Sequence, residues 1–456
     1  MMSCLDDGRF HGELGNGLSS DGYASIEDAV KVLLQGLGED TNREGIRKTP
    51  FRVAKALREG TRGYKQKVKD IVQDALFPEA GLDNKVGHAG GAGGLVIVRD
   101  LDHFSYCESC LLPFQVKCHV GYVPSGQRVL GLSKFSRVAG IFARRLQEPQ
   151  HLADEICSAL HQEIQPAGVA VVLQCTHVHF PDIELQILDP NHQGWLETIV
   201  SSGSGVFEDK QADDWADFLG LLRLRGTVME KLKFRRSSDP YWCPSLSIKV
   251  SSAIEPANPG MVAAAAKIIK SLGEDPLRKE LRETPRRFVE WFRNFQNKPD
   301  MKVSGFLCGR RDALSMNGEV DLNSKRVYAE LGIPFWAQCE HHLLPFHGVV
   351  HIGYFILDGF KPIGRSHLQS IIHFYGFKLQ VQERLTRQIA EAISPLLGGD
   401  VIVVAEASHT CMISRGIEKF GSNTSTIAVL GCFATEVTAR ASFLKTIPSP
   451  ASPAGQ

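Results

Sequence analysis

Apolar positions recur at helical spacing in "SIEDAVKVLLQGL", which starts at Ser25, and again in "GMVAAAAKIIKSL", which starts at Gly260. Ser25 stands where an N-cap is expected. The segments from Thr49 and Thr284 also read as helices, each with proline at its first helical position. Short β-rich runs follow: "GLVIVRDL" and "QVKCHVGYV" in the first half, "HGVVHIGYFIL" in the second. "SHLQSIIHFYGFKL" sets Leu368, Ile371, Ile372, Tyr375 and Leu379 on one helical face, and "QVQERLTRQIAEAI" continues as a second helix. "GVAVVLQ" and "VIVVAEA" read as buried strands from their β-branched content. The order of helices, two strands, two helices, two strands predicts an α+β unit. Each unit carries an antiparallel four-stranded sheet with two packed helices, preceded by N-terminal helices.

That order occurs twice because the chain repeats itself. "LGED" stands at Leu37 and Leu272, "TP" at Thr49 and Thr284, "LLPF" at Leu111 and Leu343. "GY" follows at Gly121 and Gly353, and "LQ" at Leu146 and Leu379. His177 in "VVLQCTHVHF" matches His409 in "VVAEASHTCM". All offsets lie between 232 and 235. Residues 25–236 and 260–447 therefore read as two copies of a unit of roughly 200 residues.

Between them, 237–259 holds many serines and prolines, as linkers do. Residues 1–24 and 448–456 read as disordered tails. With Lys+Arg and Asp+Glu both at 51, no global field points to nucleic acid or to a membrane, so an anion site has to be a local cluster. No apolar run is long enough for a transmembrane helix. The start lacks the pattern of a secretory or organelle leader, which leads to the expectation of a cytoplasmic protein. Eleven cysteines in 456 residues then read as core residues, metal ligands or reactive thiols rather than a disulfide scaffold.

"CEHHLLPF" sets Cys339 and His342 at C-x-x-H spacing, and Cys411 offers a third ligand. Two residues before it, His409 projects to the same side if the chain is extended. Two thiolates and an imidazole suit Zn2+ and leave a fourth position for water, whose pKa the metal lowers toward neutrality. His341 and His409 remain as proton carriers. Buried structural cysteines would give the same spacing. In the first copy "CESCLLPF" holds Cys107 and Cys110, with His179 standing where Cys411 stands. The ligand types are permuted, and a second metal there is left open.

"GLSKFSRVAGIFARRL" places Ser133 as a cap, with Lys134 and Arg137 on one face of the same helix start. A helix N-terminus with two added cations is a phosphate site with a mechanism. A solvated basic face would look the same. The second copy has His367 and Ser370 instead. Conversely, Gln382 and Glu383 in "LQVQERL" become Pro149 and Gln150. A carboxylate such as Glu383 can accept two parallel hydrogen bonds from the guanine edge.

"LGEDP", "TPRR", "CEHHLLPFHG", "HIGY", "LQVQERLTRQIA" and "HTCMISRG" in the second copy, with "GLSKFSR" and "RRLQ" in the first, resemble the GTP cyclohydrolase I family. The tandem arrangement is similar to its plant form. The resemblance implies a tunnelling fold, or T-fold, assembling as a homo-oligomer into a β-barrel ring. It implies a hydrolase that acts on a cyclic amidine, converting GTP and water to formate and dihydroneopterin triphosphate at the entry to folate-type pterins. It also implies Cys339, His342 and Cys411 as zinc ligands, His341 and His409 as catalytic histidines, and Gln382 and Glu383 on guanine. Ser133, Lys134, Arg137 and Arg415 would hold the triphosphate.

Each copy departs from the family pattern, and the losses are complementary. The expectation is a composite site, within one chain or between chains. A regulatory pseudo-enzyme is the rival from another class; independently decaying copies would be expected to lose overlapping residues. A nitrile reductase on the same fold lacks the "CEHH" and "HTC" pairing.

Overall fold

The computed structural model describes residues 20–73, 75–78, 94–125, 128–178, 195–224, 242–243, 258–295, 319–322, 325–355, 362–416 and 423–448. The first half runs α1 (Ser20–Gly36), α2 (Thr49–Gly60), β1 (Val96–Cys107), β2 (Pro113–Val123), α3 (Ser133–Ala143), β3 (Leu146–Gln147), α4 (Pro149–Ile164), β4 (Gly168–Val178) and β5 (Trp195–Gly205). The second repeats it as α5 (Pro259–Leu272), α6 (Thr284–Asn294), β6 (Lys325–Cys339), β7 (Pro345–Phe355), α7 (Arg365–Gly376), β8 (Leu379–Gln380), α8 (Gln382–Leu397), β9 (Val401–His409) and β10 (Thr424–Leu430).

The sheets have the orders β3-β1-β2-β4-β5 and β8-β6-β7-β9-β10. Four strands of each are antiparallel, as the sequence predicts. The fifth is a correction: β3 and β8, two residues each, pair in parallel with β1 and β6. The repeated "LQ" is this strand, too short to show a period of two. It sets Gln147 opposite Cys107 and Gln380 opposite Cys339, pinning each metal loop beside the start of the next helix. Leu379 belongs to it, not to the α7 face. A further short strand, Glu319–Leu322, pairs with β6.

Two helix starts also differ from expectation. α1 begins at Ser20, so Ser25 lies inside it, where its hydroxyl meets that of Ser271 on α5 at 3.0 Å. Ser133 is the first residue of α3 and makes no capping bond; Leu132 precedes it.

The repeated "GY" has a packing reason. On one sheet face Gly121 sits under Phe218 and Gly353 under Phe443. A Cβ there would come within 2.6 Å and 2.5 Å of those rings, so only glycine lets the aromatic rest on the strand. The following tyrosines, Tyr122 and Tyr354, are buried on the opposite face.

The halves do not own separate cores. One continuous cluster of buried side chains runs through both, and its bridge is the packing of α1 on α5. Ile26, Val30 and Leu33 meet Ile268, Ile269 and Leu272 there, all 7% exposed or less. Burying each such side chain contributes about 1.5–3 kcal/mol. Among the described residues no helix is long and apolar enough to cross a membrane.

Candidate functional site

The loop between β6 and β7 carries "CEHHLLPF". Cys339 donates its N–H to the Leu344 carbonyl at 2.8 Å, and Leu343 donates to the Cys339 carbonyl at 2.8 Å. Leu343 takes φ +58°, as Leu111 takes +60° in the other copy. A leucine in that region costs roughly 1–3 kcal/mol and persists only where packing holds it. The packing is the repeated "LLPF" itself: Leu343, Leu344 and Phe346 are buried, as are Leu111, Leu112 and Phe114. The shared tail of the motif therefore builds one knuckle twice.

The opposite wall comes from the end of β9. Register pairs His409 with Phe346, and their rings stack with centroids 4.5 Å apart. The extended geometry expected beyond His409 is not found, because a helical turn, Thr410–Ile413, starts at once. Thr410 fixes that turn by donating its hydroxyl to the Pro345 carbonyl at 2.6 Å. Cys411 thereby reaches Cys339 and His342, and the three ligand atoms lie within 4.8 Å of one another.

This trio fits a metal. His342 Nδ1 is buried with no hydrogen-bond partner. Hydrogen bonding from Cys411 pulls the Cys339 thiol well below its ordinary value, against the opposing effect of burial. Two thiols and one imidazole are the donors zinc takes, with a side left for water. His342 is only half-buried, so one side of the cluster stays open.

Behind the loop, the Glu340 carboxylate is held by two arginines, an arrangement that local pattern does not show. Its carboxylate accepts from Arg384 at 2.7 Å and from Arg43, on the other unit, at 2.9 Å. Burial opposes ionisation, but the two guanidiniums outweigh it and hold the carboxyl below its usual range. The repeated glutamate of "CE" is the one sequence signal of this clamp.

Gln382 occupies an unexpected role. Its amide donates to the Ala405 carbonyl at 2.9 Å and the Thr424 carbonyl at 2.8 Å. Those bonds aim its Oε1 at His409 Nε2, 2.8 Å away. A carbonyl oxygen only accepts, so Nε2 carries the proton and Nδ1 is the basic nitrogen. Gln382, expected on the guanine edge, is 3% exposed and occupied with this task. Burial lowers the His409 pKa, keeping the ring neutral. Glu383, next along α8, is exposed and lines a cleft of about 700 Å³ with Arg384, Arg387 and Thr426. His341 is half-buried on the metal loop.

Among the described residues, no hydrogen bond or ion pair joins Ser133, Lys134 or Arg137 to this cluster within one chain. α3 packs against α4, β1 and β2 of its own unit. Among the described residues, no hydrogen bond or ion pair engages the side chains of Ser133, Lys134 or Arg137; Lys134 is half-buried and the other two are exposed. Arg415 is exposed just past the Thr410–Ile413 turn. Its neighbours Ile413 and Gly416 close a cleft of about 530 Å³ against His103, Lys117 and Arg144 of the first unit.

In the first copy the matching loop also gathers ligands. Cys107, Cys110, His177 and Cys243 form a second group that could hold a metal ion. His179 lies outside the described residues. His177 and Cys243 are the residues sequence reading passed over. The signal that could have found Cys243 is the aromatic-cysteine island "YWC" within an otherwise Pro- and Ser-rich stretch.

A family model described as GTP cyclohydrolase I matches residues 26–213 and again 261–448. The chain is 62% identical over 459 residues to GTP cyclohydrolase 1 of Solanum lycopersicum, covering 99% of each. It is 61% identical over 461 residues to GTP cyclohydrolase 1 of Arabidopsis thaliana, covering 98% of this chain and 97% of that one. A GTP cyclohydrolase 1 of Dictyostelium discoideum is 41% identical over 199 residues, 44% of this chain but 78% of its own.

Proposed function

This chain belongs to the GTP cyclohydrolase I family, and on that premise we propose that its two units divide the labour of one composite site. Its activity is the conversion of GTP to dihydroneopterin triphosphate, in the folate pathway. The second unit carries the chemistry and the guanine contact. The first unit carries the triphosphate clamp. The observation that carries this reading is the open Cys339, His342 and Cys411 cluster with an oriented histidine beside it.

Zinc held by Cys339, His342 and Cys411 would supply the Lewis acidity that makes water nucleophilic at neutral pH. His409 Nδ1 accepts a proton as water adds to carbon 8 of guanine, because Gln382 keeps the other nitrogen protonated. His341, on the metal loop, is the second proton carrier. Water addition opens the imidazole ring to a formamide, and a second water hydrolyses that formamide, releasing formate and the free amino group. Glu383 takes the ring N–H and amino group of guanine, which a neutral glutamine cannot do as a charged acceptor.

Ser133, Lys134 and Arg137 receive the triphosphate at the N-terminus of α3, where backbone N–H groups and two cations coincide. Arg415 joins them. The absence of any intrachain partner for the Lys134 and Arg137 side chains, among the described residues, supports a clamp that serves the second unit of a neighbouring copy. β5 and β10 each pair on one side alone among the described residues. Such edges suit copies joining strand to strand into a closed ring.

GTP turnover, read as pterin absorbance, tests the division on the full chain. Cys411→Ser abolishes turnover by removing a ligand. Lys134→Ala raises KM for GTP by at least about tenfold. Full activity of Lys134→Ala would sink the composite reading.

A further inference from the structure

We propose that Cys107, Cys110, His177 and Cys243 form a second, closed zinc site that is structural rather than catalytic. All four residues are buried, none more than 1% exposed, and their ligand atoms lie within 4.8 Å of one another. A tetrahedral zinc with bonds of about 2.3 Å to sulfur and about 2.0 Å to nitrogen sets sulfur–sulfur edges near about 3.8 Å and sulfur–nitrogen edges near about 3.5 Å. Cys107 Sγ and Cys243 Sγ are 3.7 Å apart, and Cys110 Sγ is 3.5 Å from His177 Nε2. The first separation is far longer than a disulfide bond, about 2.05 Å.

The histidine is oriented for ligation. His177 Nδ1 donates to the Val178 carbonyl at 3.0 Å, so the lone pair sits on Nε2, facing Cys110. A backbone carbonyl in that role is the usual partner of a zinc-bound imidazole. His177 occupies the place that His409 holds in the other unit, but Pro149 stands where Gln382 would engage its Nε2. The exchange turns the histidine from a proton carrier into a ligand. Cys110 replaces the half-buried His342. The fourth ligand fills the position that the second unit leaves for water.

Cys243 lies outside both stretches that the family model matches, so this site is no property of the family's unit. Trp242 seals it, its ring 5.3 Å from His177 and 5.4 Å from Phe114. From the second unit, Trp291 on α6 donates to the Cys110 carbonyl at 2.9 Å. A metal here ties the segment joining the units to the first knuckle and to α6. It is a staple at their junction, closed to substrate.

The test is metal content of the purified full chain, with thermal midpoint alongside. Wild type is expected to carry about two zinc ions per chain, Cys411→Ser and Cys243→Ser about one each, and the double variant none above background. Cys243→Ser also lowers the thermal midpoint. If Cys243→Ser fails to fold, cobalt loading of Cys411→Ser decides: thiolate-to-cobalt charge transfer of a three-sulfur tetrahedral site is expected. One zinc per chain in wild type, lost entirely in Cys411→Ser, overturns the proposal. So does a Cys107–Cys243 disulfide in unreduced protein, or a colourless cobalt-treated Cys411→Ser chain.

Discussion

Thr49 of the first unit donates its hydroxyl to the Glu340 carbonyl of the second at 2.7 Å, and Thr284 of the second donates to Glu108 of the first at 2.5 Å. The arginines obey the same exchange, Arg43 on Glu340 and Arg278 on Glu108 at 3.1 Å. Each unit's N-terminal segment thus braces the other unit's metal loop. If only the second loop does chemistry, the two braces differ in consequence. Arg43→Ala is expected to lower GTP turnover per folded chain roughly tenfold, about 1.4 kcal/mol of transition-state stabilisation. The mirror variant Arg278→Ala leaves turnover near wild type. Equal effects would contradict the assignment of the chemistry to the second unit.

Gln382 accepts a hydrogen bond from His409 Nε2, and kinetics can tell a positioning role from a guanine contact. Gln382→Leu removes the acceptor that keeps Nε2 protonated. A fall in kcat of about 10²-fold with little change in KM is expected. A rise in KM at constant kcat would return Gln382 to the guanine edge.

Glu383 makes the opposite prediction. Glu383→Gln weakens guanine recognition, so kcat/KM for GTP falls by about 10²-fold. Discrimination against inosine triphosphate, which lacks the amino group, narrows at the same time. Unaltered discrimination in steady-state competition would remove Glu383 from the guanine contact.

Acid should destabilise the fold through histidines buried neutral. His103, His119 and His373 are each pushed down to about 4 by burial. His119 Nδ1 also accepts the Asp100 N–H at 3.2 Å, a bond that protonation breaks. The unfolded chain titrates near 6.5, so the contribution is complete above about pH 6.5 and is lost as pH falls toward about 4; each is worth on the order of 3 kcal/mol. Thermal midpoints measured from pH 7 to pH 4 should fall steadily. A flat profile would mean that these rings are not held neutral.

Much of this was legible in the sequence because it is local. The helix and strand order and the C-x-x-H pair Cys339 and His342 rest on short-range pattern, and the repeat register rests on matching such patterns between the copies. β6 is not among the runs named from the sequence, and it contains two residues unfavourable in strands, Gly332 and Pro334. In the structure Gly332 takes φ +65° at an irregularity in β6, and Pro334 pairs with Val349 on one side only. The exchange of braces was not legible, because an amphipathic helix does not state which copy it packs on. Cys243 was read as linker because its ligating role depends on a loop more than a hundred residues away. The shared "LLPF" proved to be a strained knuckle built twice, while the residues ahead of it set one loop open and the other closed.

The composite site is tested most directly by mixing two chains impaired in different ways. Cys411→Ser keeps the clamp but lacks the chemistry; Lys134→Ala keeps the chemistry but lacks part of the clamp. After dissociation and reassembly together at equal amounts, turnover at subsaturating GTP should rise to about a quarter of wild type, because about one site in four pairs an intact Cys411 with a neighbour's intact Lys134. Turnover no higher than the average of the two separate samples would contradict a site shared between copies.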